Sequence, residues 1–258
     1  MSCHDDEMTP IEPSRHYTGL VARAYGPLRG SVPDPEPYAR FIAAFGEPAL
    51  ELGCGDGDPM LELRRRGLDI EGLDSSADML ERFRARADSE GVSVVLHESA
   101  IESMCLGRRY QSIFLAGPTF NLLVNDTTAA NALARIAEHL EPTGAALIPL
   151  FIPPPGDGVE IGVPRRHEEA SGALLKVTTL SVERNEDTRQ QQTVLRYEVI
   201  EHGVSTVLDR IWVLHWHSQE SFRQLATEAG LRVVAVLDPE GQRADPTATE
   251  FVFLLAPA

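Results

Sequence analysis

Short apolar runs alternate with amphipathic stretches between residues 46 and 155 of the chain. PALELG (48–53), LDIEGLD (68–74), VSVVLH (92–97), SIFLAG (112–117) and AALIPLF (145–151) read as strands, each bounded by turn formers or charge. Asp58-Pro59 predicts a helix start that runs through Leu61 and Leu63 and stops at Gly67. Residues 76–88 put Met79, Leu80, Phe83 and Ala87 on one helical side, and residues 126–140 do the same with Leu133, Ile136, Ala137 and Leu140. Strands alternating with helices predict a parallel sheet covered on both faces, with the ligand at the carboxyl ends of its strands.

After Pro153-Pro154-Pro155-Gly156 the period shortens to two. ALLKVTTLSVE (173–183), QQTVLRYEVIE (191–201) and STVLDRIWVLHWH (205–217) predict antiparallel strands. Ser218 then caps a helix with Phe222, Leu225, Ala226 and Ala229 on one face, followed by strands at 231–238 and 250–256. The expected organisation is a flexible tail (1–14), helices over 15–45, an α/β core from 46–155 and 218–258, and an antiparallel insertion (156–217) over the open end of the sheet.

Charge narrows the partners. The net charge is −16, and Lys176 is the single lysine. Such a chain suits neither phosphate backbones nor anionic membranes. Cys3, Cys54 and Cys105 form no CxxC pair, so neither a disulfide framework nor a zinc site is expected. The polar, acidic start lacks the features of a signal peptide, and ALIPLFI (146–152) is too short to span a bilayer. A cytoplasmic protein, monomeric or homodimeric, is expected.

The glycines of 50-LELGCGDGDPM-60 fit neither G-x-G-x-x-G, which meets Asp58 or Met60 in place of its last glycine, nor a P-loop, which needs a lysine. Asp56 and Asp58 are expected to repel a pyrophosphate at the helix start. Asp74, about twenty residues on at a strand end, is where an acid accepts hydrogen bonds from ribose hydroxyls. A ribose without a pyrophosphate points to an adenosine joined to a zwitterionic or cationic group.

On these residues the chain resembles the class I S-adenosylmethionine-dependent methyltransferases of small molecules. ELGCGDG (51–57) is similar to their first motif, GLDSSADML (72–80) to their second, and EPTGAALI (141–148) to the turn and strand after their fourth helix. The resemblance implies a Rossmann-like, seven-stranded, mostly parallel sheet with S-adenosylmethionine as cofactor. It assigns Glu51, Gly53, Cys54, Gly55 and Gly57 to the methionine end, Asp74 to the ribose, and Ser75 and Met79 to the adenine. Leu115, Ala116 and Gly117 are assigned backbone contacts near the methyl. An aspartate usual after the third strand is missing from HESAIESM (97–104), where Ala100 and Ile101, or Glu98 or Glu102, stand in its place. RHYTGLVARAYGPL (15–28) resembles the lid helix of small-molecule members, with Tyr17 and Tyr25 facing the cofactor or packing on the sheet.

Methyl transfer to an amine needs only loss of a proton, whereas a hydroxyl is helped by a base or a metal. His215 is the first base candidate, with Tyr17 and His16 behind it. Phe120, Asn121, Arg210, Trp212 and His217 are candidate substrate contacts. His215-x-His217 has no carboxylate at matching spacing, so no metal is expected. The place after the fourth strand reads AGPTF rather than the Asn/Asp-Pro-Pro-aromatic of amino-methylating nucleic-acid enzymes, so a small-molecule amine or hydroxyl is the expected acceptor, in natural-product biosynthesis. The rivals are a non-methyl-transfer reaction on the same cofactor (cyclisation, elimination or rearrangement) and a non-catalytic binding module.

Overall fold

The computed structural model of the protein describes residues 16–155 and 160–258; the tail expected at 1–14 lies outside the described residues. Two helices come first, α1 (Leu20–Leu28) and α2 (Glu36–Phe45). The core alternates β1 (Ala49–Leu52), α3 (Met60–Arg65), β2 (Ile70–Asp74), α4 (Ala77–Ser89), β3 (Leu96–Glu98), β4 (Tyr110–Phe114), α5 (Asp126–His139) and β5 (Leu140–Phe151). An antiparallel run follows: β6 (Pro164–Glu168), β7 (Leu174–Asn185), β8 (Gln190–Glu201) and β9 (Val204–His215). The chain closes with α6 (Gln219–Glu228), β10 (Leu231–Leu237) and β11 (Glu250–Pro257).

The main sheet has seven strands in the order β3-β2-β1-β4-β5-β11-β10. β11 runs antiparallel to both neighbours and the other pairings are parallel. Strand alternation divides the core into two layers. Leu50 and Leu52 face α5 and α6 with Ile113, Leu133, Ile136 and Phe222. Ala49 and Phe114 face the other side with Phe41, Met60, Leu80 and Phe83. Glu51 shares the orientation of Ala49, yet it lies at the carboxyl end of β1, where the layer opens.

The helix ends follow from their caps. Ser76 accepts from Met79 N–H at the start of α4, Asn125 from Thr128 N–H at α5, and Ser218 from Ser221 N–H at α6. Asp58 does not cap α3: Pro59 stands at that position, without a side-chain cap, and the Asp58 carboxylate is used elsewhere. Met79, Leu80, Phe83 and Ala87 are all buried, as the helical spacing predicts.

Three elements differ from their sequence pattern. β3 covers only Leu96–Glu98, because it is an edge strand and Val95 turns half its surface to solvent. β6 was not anticipated; its PRRHE is almost wholly exposed and carries no apolar alternation to read. Tyr17 lies in a bend before α1 instead of within the helix.

The β6–β9 sheet reaches the core through α1. Val21, Ala24 and Leu28 pack on Leu175, Val177, Tyr197 and Val199. The other end of α1 is tied to the glycine loop: Arg29 pairs with Asp56 (3.2 Å) and with Asp58. Arg86 of α4 also pairs with Asp58 (2.9 Å). Before the helix, Ser76 Oγ donates to the Tyr17 carbonyl and Gly19 N–H to Asp78, each at 2.5 Å. Among the described residues, no helix is long and apolar enough to cross a membrane.

Gly57 sets the distance between the glycine loop and α4. Its φ is 107°, and a Cβ there would lie 2.5 Å from the Phe83 ring. Gly57→Ala is therefore expected to lower unfolding free energy by about 2–4 kcal/mol, from backbone strain plus overpacking. Urea denaturation of the variant checks this, and a loss under ~0.5 kcal/mol, as at an ordinary surface position, contradicts it.

Candidate active site

The carboxyl ends of β1, β2 and β4 open into a cavity of about 460 Å³ that Tyr17, before α1, and Tyr25, within it, help to line. Its floor is the turn after β1. Gly53 and Gly55 have φ of 71° and 52°, and the Gly53 and Cys54 N–H groups both donate to the Leu73 carbonyl (2.7 and 3.0 Å). A side chain on Gly53 would meet Thr119 at 2.6 Å. Backbone therefore reaches the cavity where any other residue would fill it.

Asp74 ends β2 and faces this cavity. Gly55 N–H donates to Oδ2 (2.9 Å) and Ser76 N–H to Oδ1 (2.8 Å), which fixes the carboxylate. Burial still raises its pKa above the usual aspartate value, against the pull of these amide bonds. Glu51 differs: it is fully buried and not on the cavity wall, and neither carboxylate oxygen has a partner. Burial, with Asp58 and Asp74 nearby, pushes its carboxyl well above the ordinary range. A buried acid without a donor is costly unless a cation or donor joins it.

Tyr17, Tyr25 and Met79 wall the cavity beside Asp74. The tyrosine rings meet edge to face, 5.3 Å apart. Burial raises both phenols above their usual pKa, so they stay protonated and serve as hydrogen-bonding groups, not as bases. Ser75, Ala100 and Ile101 also line the cavity.

Other residues singled out in the sequence stand back from it. Gly57 packs on Phe83, and Cys54 and Leu115 are buried in the core. Leu115, Ala116 and Gly117 are not on the cavity wall, although the Gly117 N–H faces the Tyr38 hydroxyl. Asp56 and Asp58 point to Arg29 and Arg86, so their charges hold α1 and α4 and do not select the ligand directly.

The candidate substrate contacts need correction. Phe120 is fully buried against Phe222 and His217. Asn121 is fully buried as well. It donates to the carbonyls of Phe151 (2.9 Å) and His215 (3.0 Å) and accepts from Phe151 N–H (3.2 Å), tying β5 to β9. His215 and His217 lie behind the wall, not on it. The fold brings Asp126 to them from α5, 3.5 Å from His215 Nε2 and 3.7 Å from His217 Nδ1. No spacing in the sequence announced that carboxylate.

His16 and Trp212 line a small annex of about 20 Å³ that shares Tyr17, Leu122 and Val124 with the main cavity. Arg210 stands close enough to His16 and Tyr197 to affect their ionisation. The remaining wall comes from Leu73, Ser99, Glu102, Thr119, Leu122, Leu123, Val124 and Thr128. Of these, only Glu102 stood out in the sequence; the rest carry no motif and are gathered by the β4–α5 connection.

Residues 49–144 match the family model of a methyltransferase domain. With the strand order above, the fold is the Rossmann-like α/β fold of the solved methyltransferases that superimpose on it. It is 28% identical over 189 residues to the dTDP-3-amino-3,4,6-trideoxy-alpha-D-glucopyranose N,N-dimethyltransferase of Streptomyces venezuelae, covering 71% of this chain and 75% of that one. It is also 28% identical over 144 residues to the dTDP-3-amino-3,6-dideoxy-alpha-D-glucopyranose N,N-dimethyltransferase of Streptomyces fradiae, covering 53% of this chain and about half (55%) of that relative's length. Among solved structures, the CcbJ methyltransferase of Streptomyces caelestis superimposes with a TM-score of 0.74 at 23% identity, over 95% of this chain and 99% of that one. SAM-bound CalS10, an amino pentose methyltransferase from Micromonospora echinaspora, gives 0.66 at 20% identity, over 94% and 98%.

The residues present fit S-adenosylmethionine. A fixed carboxylate awaits the ribose diol, an unpartnered buried carboxylate suits an ammonium, and a glycine-built floor leaves room for the chain between them.

His16 sets an acid limit. Burial and Arg210 lower its pKa from 6.5 to about 4. The unfolded chain therefore binds this proton first, and the contribution of His16 to stability is complete above pH 6.5 and is lost as pH falls toward 4. His16→Gln is expected to reduce the loss of stability between pH 6.5 and 4 by on the order of 2–3 kcal/mol. Denaturation midpoints across that window test this; an unchanged acid limb contradicts it.

Proposed function

We propose that the protein is an S-adenosylmethionine-dependent methyltransferase acting on an amine of a small, sugar-like molecule in natural-product biosynthesis. The observation that carries the cofactor is the pair of carboxylates at the β1 and β2 ends, Glu51 without a partner and Asp74 locked by Gly55 and Ser76. The bound cofactor supplies a methyl on a sulfonium, which needs an in-line acceptor and no activation of its leaving group. Asp74 holds the ribose hydroxyls, Glu51 the α-ammonium, and Met79 with Tyr25 flank the nucleoside. Tyr17 closes the cavity on the acceptor side and offers its phenol as a hydrogen-bonding group.

The ionisable wall supports an amine as acceptor. Among the described residues, the titratable groups on the cavity are Tyr17, Tyr25, Asp74 and Glu102. Both phenols are held protonated, and Asp74 is committed to the floor. An amine can attack from its neutral form and lose its proton afterwards, while a hydroxyl needs a base at the moment of transfer. His16, in the adjoining annex, is a weak base because burial and Arg210 lower its pKa to about 4, so the proton of the product ammonium is left to solvent. The relatives named as N,N-dimethyltransferases of amino sugars support the same acceptor class. The reading takes the protein as cytoplasmic, monomeric or homodimeric, with no nucleic-acid partner, in keeping with its net charge of −16.

Two measurements test it. Asp74→Ala is expected to weaken S-adenosylhomocysteine binding roughly 10- to 100-fold, the loss of charge-assisted hydrogen bonds. In a mass-spectrometric screen of paired amino and hydroxy sugars, the amino member is expected to gain one methyl for each S-adenosylhomocysteine released. Methylation of the hydroxy member alone, or cofactor turnover without a methylated product, contradicts the reading.

A further inference from the structure

The histidines that stand back from the cavity form a group of their own with Asp126. His215 ends β9, His217 follows two residues later, and Asp126 opens α5. Both imidazoles are almost wholly buried, and their ring centroids lie 4.6 Å apart. His215 Nε2 and His217 Nδ1 face one atom, Asp126 Oδ1, at 3.5 and 3.7 Å. These contacts exceed the 2.7–3.2 Å range of a normal N–H···O bond. The outer nitrogens, His215 Nδ1 and His217 Nε2, lack a well-formed hydrogen bond, although the Leu123 backbone faces the His215 ring. Two adjacent buried imidazoles with so little bonding are an expensive way to fill a core.

The spacing suits a shared cation better. A tetrahedral ion bound at 2.0–2.1 Å separates neighbouring ligand atoms by about 3.3 Å. The two contacts to Asp126 are a few tenths of an ångström longer, and all three candidate ligand atoms lie within 4.8 Å of one another. Asp126 is exposed, so its side chain has room to close that gap, and solvent can supply a fourth ligand. Its other oxygen, Oδ2, pairs with Arg189 Nη2, which leaves Oδ1 free to ligate and orients the carboxylate as a second-shell partner does.

We propose that Asp126, His215 and His217 form a site for a divalent d-block cation of the zinc type. Two imidazoles and one carboxylate favour such an ion over magnesium or calcium, which take oxygen ligands. The site joins the end of β9 to the start of α5. It stands behind the segment whose Leu122, Leu123, Val124 and Thr128 wall the cavity. The ion would act as a clamp on that wall and take no part in methyl transfer. The inference does not depend on the proposed reaction.

Cobalt(II) serves as probe, with tag-free protein stripped by a chelator. Wild type is expected to bind one cobalt per chain with a visible absorption band of N/O tetrahedral type, without the thiolate charge-transfer band that Cys105 would give. Zinc is expected to displace it and raise the Tm. Asp126→Asn keeps the shape of an exposed side chain and is expected to weaken cobalt binding at least about tenfold. His217→Gln is expected to do the same. S-adenosylhomocysteine affinity, measured on the folded Asp126→Asn protein, is expected to stay within about twofold of wild type, since that residue does not touch the cofactor cavity. Absence of stoichiometric cobalt binding by wild type, or equal binding by Asp126→Asn, overturns the site.

Discussion

The chain must turn from β1 into α3 while leaving space for a ligand, and this single constraint arranges most of the site. Gly53, Gly55 and Gly57 meet it with left-handed backbone and no side chain. Their neighbours fill the space that side chains would take: Thr119 against Gly53, Met79 against Gly55, and Phe83 against Gly57. The same turn presents the Gly55 N–H to Asp74 and sets that carboxylate at the floor of the cavity. Floor, adjacent helix and ribose acceptor are thus coupled through a few backbone atoms.

Charge is sorted around this turn. Asp56 and Asp58 are neutralised by Arg29 and Arg86 and fasten α1 and α4 to the loop. Asp74 and Glu51 have no cation beside them, one fixed by amides and one without a partner, and are the residues proposed to meet the ligand. α1 in turn carries the β6–β9 sheet on Val21, Ala24 and Leu28, and Tyr17 is fastened beside it through Ser76. The lid and the glycine loop are therefore one mechanical unit, and a change in the loop reaches the acceptor side through Arg29 and Tyr17.

Periodicity revealed the elements whose burial it controls. The buried stripe of α4 and the alternation in β7 and β8 were readable because each has one buried face. β3 and β6 were poorly readable because edge strands bury little and impose little pattern. Asp74 stood out from its distance to the glycines, a local property of the β1–β2 unit, and Glu51 only through the resemblance of ELGCGDG to a family motif. The sign of Asp56 and Asp58 was legible and their direction was not, since Arg29 and Arg86 are brought to them only by folding. Asn121 and Phe120 illustrate the same limit: a strand end near the ligand does not tell whether a side chain turns into the cavity or into the core. Asp126 meets His215 only because the carboxyl end of β9 lands on the first turn of α5.

The proposed cofactor site reads two ends of one ligand, a ribose at Asp74 on the cavity wall and an ammonium at the buried Glu51. Calorimetry with S-adenosylhomocysteine and 5′-methylthioadenosine, which share the nucleoside and differ in the amino acid, separates the two ends. Wild type is expected to prefer S-adenosylhomocysteine by at least about tenfold, roughly 1.4 kcal/mol. Glu51→Gln is expected to lose most of that preference while binding 5′-methylthioadenosine as before. Equal affinities in wild type, or a full preference retained by Glu51→Gln, would contradict the account.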